Sequence, residues 1–390
     1  MAKLFDKEKN IKNKKIKKNY YRKVKQNNTK KKSKGQKKNI TVKKHHFSNL
    51  LHNWKKIVYK KYDWQKIATS DNFKYMTAIV NSPYNPDPEK NPSIVFHDNV
   101  FVSNNYGEKW KIYHKKNDIN WNGIAINGSG QYQTVSCEGK NIYTSSDYGL
   151  SWKEHASKAN WISICISENG KYQSVVANGF FPNIEGKGYI YTSKDYGNTW
   201  HQKTELNVSW SCNAMSSDGR IQTSGSFFID GLNKFSDKHN GYVYNSYDYG
   251  DTWEKNKSLK QSWWASTSMS NDGKNQIICG INCNLDIVPP GPIYISYDYG
   301  KIFSKVICPE EPWLSVSMSK SGQYILASSF KQEDTENKDI PNTGGMILSQ
   351  DYGKTWKYTN APRSKYICVV ISKDGLNGVA TAWQDGIFKC

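Results

Sequence analysis

One eight-residue motif occurs six times between residues 103 and 356, and a motif repeated at that density leaves room for few architectures. Four copies are nearly identical: Ser145-Ser-Asp147-Tyr-Gly149-Leu-Ser-Trp152, Ser193-Lys-Asp195-Tyr-Gly197-Asn-Thr-Trp200, Ser246-Tyr-Asp248-Tyr-Gly250-Asp-Thr-Trp253 and Ser349-Gln-Asp351-Tyr-Gly353-Lys-Thr-Trp356. Two vary: Ser103-Asn-Asn105-Tyr-Gly107-Glu-Lys-Trp110 has Asn for Asp, and Ser296-Tyr-Asp298-Tyr-Gly300-Lys-Ile-Phe303 has Phe for Trp. Successive copies start 42 to 53 residues apart. Each follows an alternating run such as Gly-Tyr-Ile-Tyr-Thr (188–192), which reads as a strand by its period of two. The motif itself has the chemistry of a hairpin turn. The Asp carboxylate accepts turn N–H groups, Gly supplies a positive φ, Ser ties the turn to its strand and Trp packs beneath. These residues are suited to holding a loop shut and are not arranged as a catalytic set.

A second repeat lies about ten residues beyond each Trp. It starts at Trp121, Trp161, Trp210, Trp263, Trp313 and Tyr366, alternates small and apolar residues, and ends in a Gly turn such as Ser167-Glu-Asn-Gly170 or Ser216-Ser-Asp-Gly219. A seventh unit runs from Trp64 to a degraded turn at Ser70-Asp71-Asn72. This pattern predicts an inner strand followed by a tight turn. The inner-strand aromatics are expected to pack between blades, with a ring at the channel mouth as the alternative. The last unit stops one strand short of an octapeptide, while Trp54-Lys-Lys-Ile-Val58 stands alone at the other end, ten residues before Trp64. Residues 54–58 therefore supply the outer strand of the blade formed by 366–390. Radial four-stranded antiparallel units closed in this way make an all-β, seven-bladed β-propeller over residues 51–390, with its sheet edges hidden by repetition. Twelve of the fourteen tryptophans occupy the two repeat positions, leaving Trp264 and Trp383, so most of the aromatic content is mechanical.

The octapeptide resembles the Asp-box, or BNR repeat, of sialidase-like propellers. That repeat occurs in sialidases, xyloglucan-degrading glycosidases, sortilin-type receptors and a photosystem II assembly factor, so the resemblance implies a fold and leaves the function open. Sialidases hold the sugar carboxylate with three arginines, whose planar forks lysine cannot imitate. The propeller region has only Arg220 and Arg363, and no Phe-Arg-Ile-Pro motif, which argues against that activity.

The formal charge of +21 suggests an anionic partner, but it is not spread along the chain. Residues 1–66 hold 24 Lys/Arg against three acids, and the remainder is balanced at 31 of each sign. Residues 1–50 are too polar to offset chain entropy by burial, so they read as a disordered basic arm. Lys12, Lys14, Lys15, Lys17 and Lys18, then Lys30, Lys31, Lys32, Lys34, Lys37 and Lys38, form two clusters suited to phosphate contact or nuclear targeting. A solvated solubility tail is the plainer alternative. With Arg22 as the arm's single arginine, contact with nucleic acid is expected to be non-specific. No apolar run approaches the length of a membrane span or a secretory signal, and the eight cysteines, of which only Cys279 and Cys283 are close, read as reduced thiols. An intracellular location in cytoplasm, nucleus or virion is expected, with no cofactor, no metal and a monomeric ring. The Lys/Asn-rich usage fits an AT-rich genome of a protist or large DNA virus.

Both turn types join strands at one face, so the opposite face carries the long connections 83–96, 178–187, 226–240, 279–291 and 330–343. Phe180, Phe181, Phe227, Phe228, Asp230, Asp286, Glu333 and Asp334 are the candidate ligand residues there, together with Asp237, Glu336 and Asp339. Phenylalanines covering blade edges beside solvated acids are the plainer account of the same residues. The leading expectation is a non-catalytic scaffold that binds a protein or glycan on that face, with the arm serving an anionic partner. Two alternatives stay open: a non-sialidase glycosidase using paired carboxylates, and a nucleic-acid-associated or virion component.

Overall fold

A computed structural model of the chain describes residues 51, 53–81, 99–115, 120–178, 188–204, 208–228, 241–281, 291–330 and 344–390. These residues form 28 strands and no helix, arranged as seven four-stranded antiparallel sheets. Blade 1 runs outwards through Asp63–Thr69, Met76–Asn81, Asn99–Ser103 and Lys111–Lys115. The inner strands of blades 2 to 7 are Trp121–Ile126, Trp161–Ile166, Ser209–Met215, Trp263–Met269, Trp313–Met318 and Tyr366–Ile371. Consecutive inner strands pack on one another, and that of blade 7 packs on that of blade 1, so the ring is closed.

Closure is made by the two distant ends. Lys55–Val58 pairs antiparallel with Gly386–Lys389, placing Lys55 opposite Lys389 and Lys56 opposite Phe388. The Lys56 ammonium bonds the Asp385 carboxylate, to which Ser364 Oγ also donates at 2.6 Å. Beneath the strand, Leu51 and Trp54 are buried in one cluster with Tyr366 and Phe388.

The aromatic at the head of each inner strand is buried between blades, as expected: Trp121 lies among Ile79, Val100 and Val102 of blade 1, Trp161 against Ile142 of blade 2 and Trp210 against Val176 and Ile190 of blade 3. In most blades it also meets an aromatic of the third strand at an angle: Trp121 with Tyr143 at 5.5 Å, Trp161 with Tyr191 at 5.1 Å, Trp210 with Tyr244 at 5.1 Å and Tyr366 with Phe388 at 5.5 Å, whereas in blade 6 Trp313 packs with Ile347. Such pairs add to area burial because the ring edge of one faces the π cloud of the other. In blade 5 this position belongs to Trp264, at 0 % exposure and 5.8 Å from Tyr294, and not to Trp263. Trp263 is only partly buried and lies against Phe227 at 6.0 Å. The physical reason is strand parity: Trp264 pairs with Gly280 as Trp121 pairs with Cys137, and a shift of one residue turns a side chain to the other face.

The inner edge of each sheet would leave N–H groups unpaired in the channel. In blades 5 to 7 serine hydroxyls supply the acceptors. Ser266 and Ser268 accept from Val316 and Met318 N–H at 3.2 and 3.1 Å, and Ser315 and Ser317 accept from Val369 and Ile371 N–H at 3.1 and 3.0 Å. The small residues of these inner strands thus tie blade 5 to blade 6 and blade 6 to blade 7.

Candidate functional site

All six octapeptide turns are built alike. In the second, Ser145 Oγ donates to Asp147 Oδ1 at 2.8 Å and accepts Gly149 N–H at 2.9 Å, Ser151 N–H donates to Asp147 at 2.9 Å, and Trp152 Nε1 donates to Gly149 O at 3.1 Å. The turns of Ser193, Asp195, Gly197 and Trp200, of Ser246, Asp248, Gly250 and Trp253, and of Ser349, Asp351, Gly353 and Trp356 repeat these bonds. Asn105 replaces the carboxylate without loss of the acceptor, taking Ser103 Oγ at 3.0 Å and Lys109 N–H at 2.9 Å, while Gly107 and Trp110 keep their bonds. At Ser296, Asp298 and Gly300 the same bonds form, and Phe303 fills the tryptophan's place as a buried ring. Partial burial pushes the Asp147, Asp195, Asp248, Asp298 and Asp351 carboxyls up, but the summed hydrogen bonds outweigh it and hold all five below the usual range. Each carboxylate is occupied by its own turn.

Ahead of every motif glycine stands a tyrosine in the left-handed region: Tyr106, Tyr148, Tyr196, Tyr249, Tyr299 and Tyr352 have φ between 62 and 66°. Holding a side chain there costs about 1–2 kcal/mol, so packing has to compensate. Three of the rings stack on a tyrosine of the preceding blade: Tyr148 on Tyr75 at 4.5 Å, Tyr196 on Tyr132 at 4.7 Å and Tyr249 on Tyr172 at 4.6 Å. Tyr106, Tyr196, Tyr299 and Tyr352 nonetheless keep 37–47 % of their surface exposed. The result is an aromatic collar on the face of the short turns.

Inside that collar the second residue of each inner-strand turn borders the channel mouth. Backbone bonds link these residues from blade to blade: Asp71 N–H to Gly128 O, Gly128 to Glu168, Glu168 to Ser217, Ser217 to Asn271, Asn271 to Lys320 and Lys320 to Lys373, at 2.8–3.1 Å. The mouth encloses a cavity of about 190 Å³. Lys373 Nζ bonds Asp71 Oδ1 at 2.7 Å and also Glu168 Oε2. Gly128 permits this clamp, because a Cβ there would lie 2.9 Å from Asp71 Oδ2 and 2.5 Å from Glu168 Oε1. One layer below, Met215, Met269 and Met318 of blades 4 to 6 face Ile126 and Ile166 of blades 2 and 3. The degraded turn of blade 1 is closed by Phe73, which takes the glycine's place at φ 62° and is 1 % exposed.

Deeper in the channel, Lys66 Nζ of blade 1 donates to Ile162 O of blade 3 at 2.8 Å, passing blade 2 altogether. Burial pushes this amine below the usual lysine range, while Cys368 and Cys212 nearby act the other way. The unfolded chain therefore binds the Lys66 proton more tightly than the native one, and this group's contribution to stability rises as pH climbs from the native pKa toward 10.5. Lys66→Met is expected to be more stable than the parent at pH 7, with an advantage that shrinks by pH 10. Urea melts of both proteins at the two pH values check this; a difference independent of pH would refute it.

Of the residues singled out on the long-connection face, Phe180, Phe181, Asp230, Asp237, Asp286, Glu333, Asp334, Glu336 and Asp339 lie outside the described residues, as do the lysines of residues 1–50. Phe227 and Phe228 end the second strand of blade 4, and Phe227 meets Trp263. The inner-strand tryptophans do not border the cavity, which is formed by the opposite ends of their strands. The mouth residues were not singled out in the sequence, although one signal was present: they are the variable second positions of otherwise regular turns. The seven described cysteines form no disulfide with one another; Cys283 is not among them.

No protein-family model matches the chain, and no curated protein matches it. Solved structures do. YCF48 bound to a D1 peptide has a TM-score of 0.58 at 14 % identity, over 87 % of this chain and 94 % of its own. YCF48 from Cyanidioschyzon merolae gives 0.59 at 11 %, over 86 and 98 %. The Cps50 (Swd1) β-propeller domain of Myceliophteria thermophila gives 0.56 at 10 %, over 87 and 99 %. At these identities the likeness is one of fold.

Proposed function

We propose that this seven-bladed propeller is a non-catalytic interaction scaffold that docks a segment of a partner protein on its short-turn face. The observation that carries the reading is the collar of six tyrosines, each held at positive φ and four of them well exposed, around a polar mouth. Tyrosine is enriched at protein interfaces because it offers a large, stiff, amphipathic surface at little entropic cost. A propeller neighbour bound to a peptide lends the reading support of fold only. Paired-carboxylate hydrolysis is disfavoured at the mouth, since the Lys373 ammonium sits between Asp71 and Glu168, where a scissile bond would have to lie. The basic arm is assigned to a polyanion or to nuclear targeting, and the long-connection face is the alternative docking surface.

A photo-crosslinking residue placed at Tyr196 or Tyr352 in the full chain is expected to capture a discrete partner in cells. The same residue at Ile307, 94 % exposed on the link between blades 5 and 6, is the control. Capture at Ile307 alone would move docking to the other face, and capture at neither would end the reading.

A further inference from the structure

The mouth is chemically two-sided. On the side of blades 1, 2 and 3, Asp71 and Glu168 are drawn over Gly128 and joined by Lys373. On the side of blades 4, 5 and 6 stand Ser217, Asn271 and Lys320, whose side chains make no hydrogen bond or ion pair among the described residues. Directly below these three lie Met215, Met269 and Met318. Half of the chain's six methionines are therefore gathered in one wall, and Met269 and Met318 are only 8 and 7 % exposed.

We infer that this half of the cavity is a binding site for a short, unbranched aliphatic carboxylate. The Lys320 ammonium, the Asn271 amide and the Ser217 hydroxyl supply donors for the carboxylate, and charge-assisted bonds of this kind are the stronger ones. Thioether side chains are flexible and polarisable, so three of them adapt to a chain of methylenes without demanding a branched shape. Volume sets the length. The tail has the whole cavity below the rim: at ~30 Å³ for each water-sized group, about 190 Å³ holds roughly six such groups, enough for the pentyl tail of hexanoate with its carboxylate held at the rim residues. The acid pair opposite, already held by Lys373, repels a second carboxylate, which favours a monoacid over a diacid.

The site is separate in chemistry from the tyrosine collar, and its test does not depend on a protein partner. Hexanoate, hexanol and hexylamine are titrated calorimetrically into the full chain and into Lys320→Met. Hexanoate is expected to bind one to one, with hexylamine at least about tenfold weaker and Lys320→Met reducing hexanoate affinity by about tenfold or more. With ¹³C-methyl methionine, Met215, Met269 and Met318 are expected to shift on addition of hexanoate, and the buried Met76 and Met346 to stay. Equal binding of hexylamine, undiminished binding by Lys320→Met, or shifts confined to other methionines would each overturn the assignment. Partner crosslinking without hexanoate binding would overturn this inference alone; hexanoate binding without crosslinking would leave it standing and sink the docking reading.

Discussion

Trp264→Ala is expected to lower the unfolding free energy by about 3–5 kcal/mol, whereas Trp263→Ala, one residue earlier, is expected to cost about 1 kcal/mol or less. Trp264 is wholly buried between Cys212, Val243, Ile278 and Tyr294, and its removal leaves a void that a β-sheet scaffold cannot collapse to fill. Trp263 lies on the other face, partly covered, against Phe227. Guanidinium melts of the two variants measure the difference. Equal losses, or a larger loss at Trp263, would show that blade 5 is in the other register. The pair is informative because both variants remove the same atoms from the same strand, and only strand parity separates them.

Removing residues 1–60 is expected to destabilise the ring by at least about 5 kcal/mol, while removing residues 1–47 leaves its melting temperature unchanged. The longer deletion takes away the strand Lys55–Val58 with its ladder to Gly386–Lys389, the Lys56 bond to Asp385, and the buried Leu51 and Trp54. It leaves Phe388 and the third strand of blade 7 as an exposed edge, which is also a template for aggregation. The two deletions differ by the closing strand, its Lys56–Asp385 bond and the apolar side chains of Leu51, Trp54, Ile57 and Val58, so the pair tests the closure of the ring directly. The shorter deletion carries the complementary test of the arm: it is expected to abolish retention on heparin at low salt, a charge-driven contact that disappears as counterions compete. Retention unchanged after that deletion would assign the polyanion contact elsewhere.

Much of this was open to reading in one dimension because a propeller is made of local units. The Ser-x-Asp-x-Gly pattern encodes a turn whose donors and acceptors all lie within eight residues, so its bonds follow from the residue types alone, and even the Asn105 variant keeps the required acceptor. The shared blade was legible for a related reason: an unmatched strand at 54–58 and an incomplete unit at 366–390 can be satisfied only by each other. The register of blade 5 was less plain, because Trp263 and Trp264 are adjacent. Spacing would have decided it, since each of the other inner-strand aromatics stands six residues before the Ser or Asn that opens its turn, and only Trp264 does so before Ser270.

The mouth could not be read in the same way. Asp71, Gly128, Glu168, Ser217, Asn271, Lys320 and Lys373 come from seven separate turns, 40 to 57 residues apart along the chain, and nothing local says that an ammonium in blade 7 reaches carboxylates in blades 1 and 3 across a glycine in blade 2. The left-handed tyrosines are a similar case: their identity was visible in every motif, but their exposure on one face was not. By itself the sequence determined the repeating turn, the strand period, the count of seven and the pairing of the two ends, because each depends on contacts within a blade or on a piece left over. Only the tertiary structure decided what faces the axis. Ring closure brings one residue from every blade to a common centre, and chemistry there arises from the differences among positions that the repeat makes equivalent.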